Sequence, residues 1–320
     1  MPIIQLPALT LLDIIGADAA RVVNNLCTAP VLQLLAGDGY EAFFTDVRGK
    51  TLGHGCLYAL PNGLRLIGAD GQAAAVAAHV DRYTIREDAA PVDRSGETSG
   101  VLVDTATLRQ THPQFSPAEP RSPTTLAWSP LDDDLAAYRV PWAADQPPWT
   151  AEQTSSQPGP DADEELWLVA GPPTAMSTWL ADDRLASTPR LDETHFHRLR
   201  VANRFPWYGV DLDDRHLPQE LSRDAAAISF TKGCYLGQET VARLDARGQV
   251  QKKLVLWRIA AERPPEPNTE LTADGRVVGR LTSVVTTDNG GFLALGFARR
   301  SHFDRGATAS GADGIIAEVV

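Results

Sequence analysis

The stretch Ser229-Phe230-Thr231-Lys232-Gly233-Cys234-Tyr235-Leu236-Gly237-Gln238-Glu239 gathers a thiol, an amine, a phenol and a carboxylate within a few residues. Its two glycines permit positive φ or close approach of the backbone to a ligand. From Gln238 to Ala246 the residues are good helix formers with an apolar stripe at Val241 and Leu244, so Cys234 is expected in a loop just before a helix N-terminus. Unpaired N–H groups and the helix dipole there favour a thiolate. Lys232 adds to that if its side chain turns the same way. Arg243 stands four residues after Glu239, so the two can pair across one helical turn. The plainer readings are a cysteine that acts as a small buried hydrophobe and an ordinary strand-to-helix turn. A phosphate loop is excluded, because the Gly-x-x-x-x-Gly-Lys-Ser/Thr spacing is missing.

The rest of the chain must position this segment. Its 320 residues, 43% of them hydrophobic, suit two or three packed units. The formal net charge of −12 argues against nucleic acid as a partner, since phosphate binding needs a basic face. A small anionic ligand needs only a local basic island. Cys27, Cys56 and Cys234 are odd in number and far apart, which argues against a disulfide framework and for a reducing cytoplasm. Met1–Ala20 has no basic residue, so no export signal is expected. No apolar run reaches the length of a membrane span. His195 and His197 sit two apart in a helical stretch, where side chains diverge, so no metal site is expected. Asp132-Asp133-Asp134 lacks the spacing of a calcium loop and reads as a solvated acidic turn.

Helices are expected over Asp18–Leu26, with Asp18 as N-cap, and over Gln72–Val80, Thr174–Leu180 and Glu193–Asn203. Strands are expected over Tyr40–Thr45, Gly55–Leu60, Leu64–Gly68, Thr98–Asp104 and Glu165–Ala170, with Arg48-Gly49-Lys50 as a turn. Residues 112–163, rich in Pro, Ser and acidic side chains, read as an exposed flexible insertion. From Gln251 the pattern turns all-β: Gln251–Ala260, Arg276–Val285 and Gly290–Phe297 are separated by Pro264-Pro265, Asp274-Gly275 and Asn289-Gly290-Gly291. The expected division is 1–248 and 249–320.

The run Lys232-Gly233-Cys234-Tyr235-x-Gly237-Gln238-Glu239 resembles the signature of the YgfZ-type folate-binding proteins, relatives of the glycine-cleavage T-protein aminomethyltransferase. Looser resemblances cover most of the chain outside 112–163. They are Leu12–Val23, Thr45–Lys50, Arg200–Asp211 followed by Leu217-Pro218-Gln219-Glu220, and Val278–Ser283. The resemblance implies an α+β fold: an aminomethyltransferase-like folate-binding body of two α+β subdomains plus a small C-terminal β-barrel. It implies tetrahydrofolate, or a one-carbon-substituted form, as cofactor, and iron–sulfur client or assembly proteins as partners. Cys234 would be the reactive thiol, assisted by Lys232.

A pterin presents an N–H beside an amino group, and one carboxylate can accept both bonds. Glu220, in the family's Pro-x-Glu, is the candidate. The glutamate tail suits arginines, for which Arg200, Arg243 and Arg247 are the candidates. Tyr235 could stack on a ring. Gly237, Gln238, Glu239 and Asp211 complete the expected binding set.

The chain departs from the T-protein enzyme. Over Leu66–Ala74, Gly68 falls at the enzyme's Asn and an alanine at its catalytic Asp, while Asp70 comes too early. Gly53-His54-Gly55-Cys56 replaces the enzyme's paired Asp residues. Aminomethyl transfer needs a carboxylate near the reacting amine. The expectation is therefore a folate-binding accessory protein that assembles or repairs iron–sulfur clusters in client enzymes. The alternatives are a folate-dependent aminomethyltransferase or demethylase-like one-carbon transferase, and an interaction module that has lost the ligand. The cysteines do not form the set that holds a cluster of its own.

Overall fold

The computed structural model describes residues 2–116, 121–142, 165–247, 250–287 and 290–320. The body opens with β1 (Ile3–Gln5), β2 (Leu9–Ile15), α1 (Ala19–Asn24), β3 (Asp38–Thr45), β4 (Thr51–Leu60) and β5 (Gly63–Ala69). β2 pairs antiparallel with β5, β5 with β4, and β4 with β3. These strands are apolar along most of their length, as expected of sheet covered on both faces. α2 (Ala73–Tyr83) lays Val76 and Val80, one turn apart, on that sheet. Asp18 stands at the N-cap of α1 but does not cap it; its carboxylate accepts the Asp88 N–H at 2.9 Å instead.

After β6 (Ala90–Asp93) and β7 (Ser99–Asp104) comes α3 (Thr105–Thr111), where Asp104 does cap, accepting the Thr107 N–H at 2.7 Å. Next are β8 (Thr125–Pro130), β9 (Ala136–Arg139), β10 (Leu166–Gly171), α4 (Pro173–Leu180), β11 (Arg190–Leu191) and α5 (Glu193–Ala202). Among the described residues the body strands form one sheet in the order β11-β1-β7-β10-β9-β8-β3-β4-β5-β2-β6.

The expectation of an exposed insertion over 112–163 is corrected for the described part. β8 pairs with β3, and β9 with β10, so this stretch joins the two halves of the sheet. Leu126, Ala127 and Tyr138 are buried. Tyr138 sits edge-on to Tyr58 with centroids 5.0 Å apart, and its hydroxyl accepts from Arg65. Residues 143–163 lie outside the described residues.

α6 (Asp224–Ala227) and α7 (Gln238–Arg247) lead to a closed barrel of β12 (Lys252–Ala260), β13 (Glu270–Ala273), β14 (Arg276–Thr286), β15 (Phe292–Arg299), β16 (Thr308–Ser310) and β17 (Ile316–Val319). Its core is Trp257, Leu271, Leu281, Ala294 and Ala317. Three of these six strands match the runs read from sequence. The Asn289 end of the Asn289-Gly290-Gly291 turn lies outside the described residues.

Barrel and body meet at a buried carboxylate. Asp211 Oδ2 accepts from Arg200 Nη1 of α5 at 2.7 Å and from the Trp207 N–H at 2.9 Å. Its Oδ1 accepts from the Thr282 and Ser283 hydroxyls of β14 at 2.5 and 2.6 Å. Arg200 also donates to Ser283 Oγ and His197 Nδ1, both at 2.8 Å. The bond to His197 needs a neutral imidazole. Burial first, and the Arg200 charge second, hold His197 down at about 4, against the pull of Asp211.

Asp211→Ala leaves the Arg200 guanidinium buried without its counter-charge and is expected to cost about 3–5 kcal/mol. Urea unfolding followed by tryptophan fluorescence checks this. A loss under about 1 kcal/mol would show that the carboxylate does not hold the two parts together.

Candidate functional site

A cavity of about 760 Å³ opens where the loop after α5 faces β12, β14 and β15. The Trp207 N–H bond to Asp211 and a bridge between Tyr208 and Leu212 fold the loop back on itself, with Gly209 at φ +81°. Beyond it, Pro218–Leu221 forms one 3-10 turn. Glu220 is 8% exposed and lines the cavity. One of its oxygens, Oε2, accepts the Leu217 N–H at 3.1 Å and faces Lys252 Nζ of β12 at 3.7 Å.

The barrel wall carries Phe297. The His216 ring stacks on it at 4.7 Å and 9°, and Lys252 Nζ stands 4.6 Å from its centroid. His216 Nδ1 lies 2.9 Å from the Asp213 carboxylate and 3.1 Å from the Asp213 backbone nitrogen, so Asp213 fixes the orientation of the ring. Burial first and the Lys252 charge second lower the His216 pKa, against Asp213 and Glu220. The site therefore offers a carboxylate, an imidazole, an ammonium and an aromatic face. Arg299 adds a guanidinium at the wall.

The signature segment lies elsewhere. Lys232 is corrected as a partner of the Cys234 thiol: its buried ammonium donates to the carbonyls of Asn24, Cys27 and Ala29 at 2.7, 2.8 and 2.6 Å. All three protons are thereby engaged. Burial lowers its pKa. Tyr235 is corrected as a stacking surface. It is buried with Phe43, Leu212, Leu221 and Val241, and burial raises its hydroxyl pKa. Leu236 is held by its N–H to Asn25 O at 2.8 Å and by Thr45 Oγ1 on its carbonyl at 2.7 Å.

Gly237, at φ +80°, sits with its Cα against the Asp46–Lys50 turn; a Cβ there would lie 2.5 Å from the Asp46 carbonyl oxygen and 2.6 Å from Gly49 Cα. The two motifs thus touch backbone to backbone, and Gly237 is a packing residue. Gln238 opens α7, half-buried, with its N–H on Tyr235 O. Cys234 is a free, exposed thiol. It lies four residues before α7 rather than at its first turn.

Of the expected binding residues, Glu220 and Asp211 line the cavity. Asp211 has four donors on its two oxygens and is corrected to a structural role, as is Arg200, 2% exposed with each guanidinium nitrogen hydrogen-bonded within the protein. Glu239 and Arg243 are both exposed and form no ion pair with each other. Neither they nor Cys234 line the cavity. The Arg247 side chain lies outside the described residues. Asp70 is exposed in the turn after β5.

Sequence reasoning missed Lys252, His216 and Phe297. No spacing rule joins them, since they come from two barrel strands and a loop. It also missed a buried network in which Glu41 of β3 accepts from Arg223 Nε and His54 Nε2, both at 2.9 Å. A charged residue inside an apolar strand was the only available signal.

No family model matches the chain. A chloroplastic protein of Arabidopsis thaliana whose name assigns it to the transferases is 25% identical over 95% of this chain and 67% of its own length. The tRNA-modifying protein YgfZ of Edwardsiella ictaluri is 32% identical over 130 residues, 35% of this chain and 39% of that protein. The crystal structure of glycine cleavage system aminomethyltransferase T from Bartonella henselae superposes with a TM-score of 0.79 at 14% identity, over 99% of this chain and 84% of that one. The chain thus has the fold of the aminomethyltransferase over nearly its whole length and is similar to YgfZ over about a third of it. Its match to the Edwardsiella YgfZ spans about two fifths of that relative's length. The fold expected from sequence is the one found, including the closed six-stranded C-terminal barrel. No helix among the described residues is long and apolar enough to cross a membrane.

Lys232→Met takes the ammonium from the carbonyls of Asn24, Cys27 and Ala29, of which Ala29 O keeps the Val31 N–H, and is expected to lower stability by about 1–3 kcal/mol. The pH profile of Cys234 alkylation should stay where it is in the wild type. A profile displaced by a full pH unit would return Lys232 to the role of the thiol's cation.

Proposed function

We propose that the chain is a tetrahydrofolate-binding accessory protein for the assembly or repair of iron–sulfur clusters in client enzymes. The folate is seated in the seam cavity, and Cys234 is the thiol offered to the client. The observation that carries this reading is Glu220. Its carboxylate is nearly buried at a cavity of about 760 Å³. Among the described residues only Oε2 is engaged, which leaves Oε1 for a ligand donor.

A pterin supplies adjacent N–H donors, Phe297 and the His216 ring supply apolar surface, and Lys252 and Arg299 supply charge for the glutamate end. Bound there, tetrahydrofolate would bring its one-carbon-carrying nitrogens. This chain's residues would orient the ring and exclude water around Glu220. The names of the relatives, a tRNA-modifying protein and an aminomethyltransferase, agree with a folate-related role. The iron–sulfur part rests on the Lys232–Glu239 signature and on the exposure of Cys234. Transfer of the one-carbon unit by this chain is the weaker reading: Asp211 is saturated by four donors, and Asp70 is exposed outside the cavity.

Titrating tetrahydrofolate against tryptophan fluorescence is expected to show saturable binding. Glu220→Gln should weaken it about 10–100-fold, the range of a lost hydrogen bond to a charged group. Absence of saturation in the wild type would leave the chain as an interaction module instead.

Cys234→Ala should bind folate as the wild type does, because the thiol does not line the cavity. In cells it should depress the activity of cluster-containing enzymes under oxidative stress. Full activity in that strain would remove the thiol from the mechanism.

A further inference from the structure

Lys252 touches both recognition elements of the cavity at once. Its ammonium lies 3.7 Å from Glu220 Oε2 and 4.6 Å from the Phe297 centroid. It has no closer partner among the described residues, and its side chain is 39% exposed, so it can swing without breaking a short bond. The remaining faces of Phe297 and Glu220 are held by fixed groups: His216 stacks on the ring and the Leu217 N–H binds the carboxylate. Lys252 is therefore the movable member of the set. In the cavity a cation stands beside a carboxylate and against a π-face, which are the two places a flat, donor-bearing ring would occupy.

We infer that Lys252 is a specificity-determining residue that competes with the ring of the ligand for Glu220 and Phe297, and that on displacement it becomes the counter-ion of the ligand's anionic tail. The inference rests on the folate reading of this cavity. A ring-only ligand must displace the ammonium and gives nothing in exchange, because a charge moved off a carboxylate and an aromatic face needs a new partner. A ligand with a ring at one end and a carboxylate at the other supplies that partner. The site then selects for the presence of both ends on one molecule. Such selection needs a repulsive or competing element as well as an attractive one, and Lys252 provides both.

The test compares two probes on the full chain: tetrahydrofolate and 6-methyltetrahydropterin, which has the ring without the tail. In the wild type tetrahydrofolate should bind much the tighter. Lys252→Met keeps the length and apolar packing of the side chain and removes its charge. It should bind the pterin as well as the wild type or a few-fold better, and tetrahydrofolate about tenfold worse, so that the ratio of the two affinities falls at least tenfold. Lys252→Arg, which keeps the charge, should restore most of the ratio.

Equal weakening of both probes in Lys252→Met, or an unchanged ratio, would overturn the assignment while leaving the folate site in place. If neither probe binds the wild type, the folate reading fails, and this inference with it.

Discussion

The arrangement of this molecule depends on one buried carboxylate. Asp211 receives a guanidinium from α5, a backbone N–H from its own loop and two hydroxyls from β14. A carboxylate removed from water without such partners would be neutralised or expelled. Here each oxygen has two donors, so the charge fixes a point at which three elements must meet. The cavity is a consequence. One of its walls is the loop that begins beside Asp211, and the other is the barrel strand that donates to it. Arg200 extends the constraint to His197, which must stay neutral to accept its bond.

A second buried network secures the other end of the same region. Burial alone would raise the Glu41 pKa, but the Arg223 guanidinium and the hydrogen bonds from Arg223 and His54 hold it at about 2. His54 is stacked between Phe43 and Phe205, at 4.4 and 5.1 Å, and Arg223 lies over Phe205 at 5.3 Å. Ion pairs of this kind add little to net stability compared with well-packed apolar groups. Their geometry nonetheless admits one arrangement of β3, β4 and the approach to α6, and α6 leads directly into the thiol loop.

The sequence revealed the fold well because its signals were local. Strand-like runs pointed to strands at β3, β4 and β5, Arg48-Gly49-Lys50 to the turn between the first two, and the runs after Gln251 to three strands of the barrel. It misled at residues 112–142, where Pro, Ser and acidic composition hid β8 and β9, two short strands whose burial depends on partners far away in the chain. At the site the limit was different. Glu220 was legible through its motif, but Lys252, His216 and Phe297 meet it only when the barrel docks. Residue types that carry chemistry in principle, Lys232 and Arg200 among them, turned out to be buried and saturated. Charge read from sequence cannot distinguish a side chain that binds a ligand from one that binds three carbonyls.

That distinction gives the signature a physical meaning. Lys232 is tied to three carbonyls, Tyr235 is in a core, Leu236 is bonded at both its N–H and its carbonyl, and Gly237 rests on Gly49. Between them Cys234 is exposed. A loop anchored this densely on both sides of one residue holds that residue in a single position, as a presented group requires and a filler residue does not. The core that buries Tyr235 also contains Leu212, which lines the cavity, so thiol and cavity are set by one packed cluster although they do not share a wall. A second link runs beside it: the Gln219 amide, next to Glu220, donates to the Val241 carbonyl of α7 at 2.7 Å. Coupling between the cavity and the thiol loop would act by stiffening or loosening these contacts, since Cys234 is not part of the cavity wall.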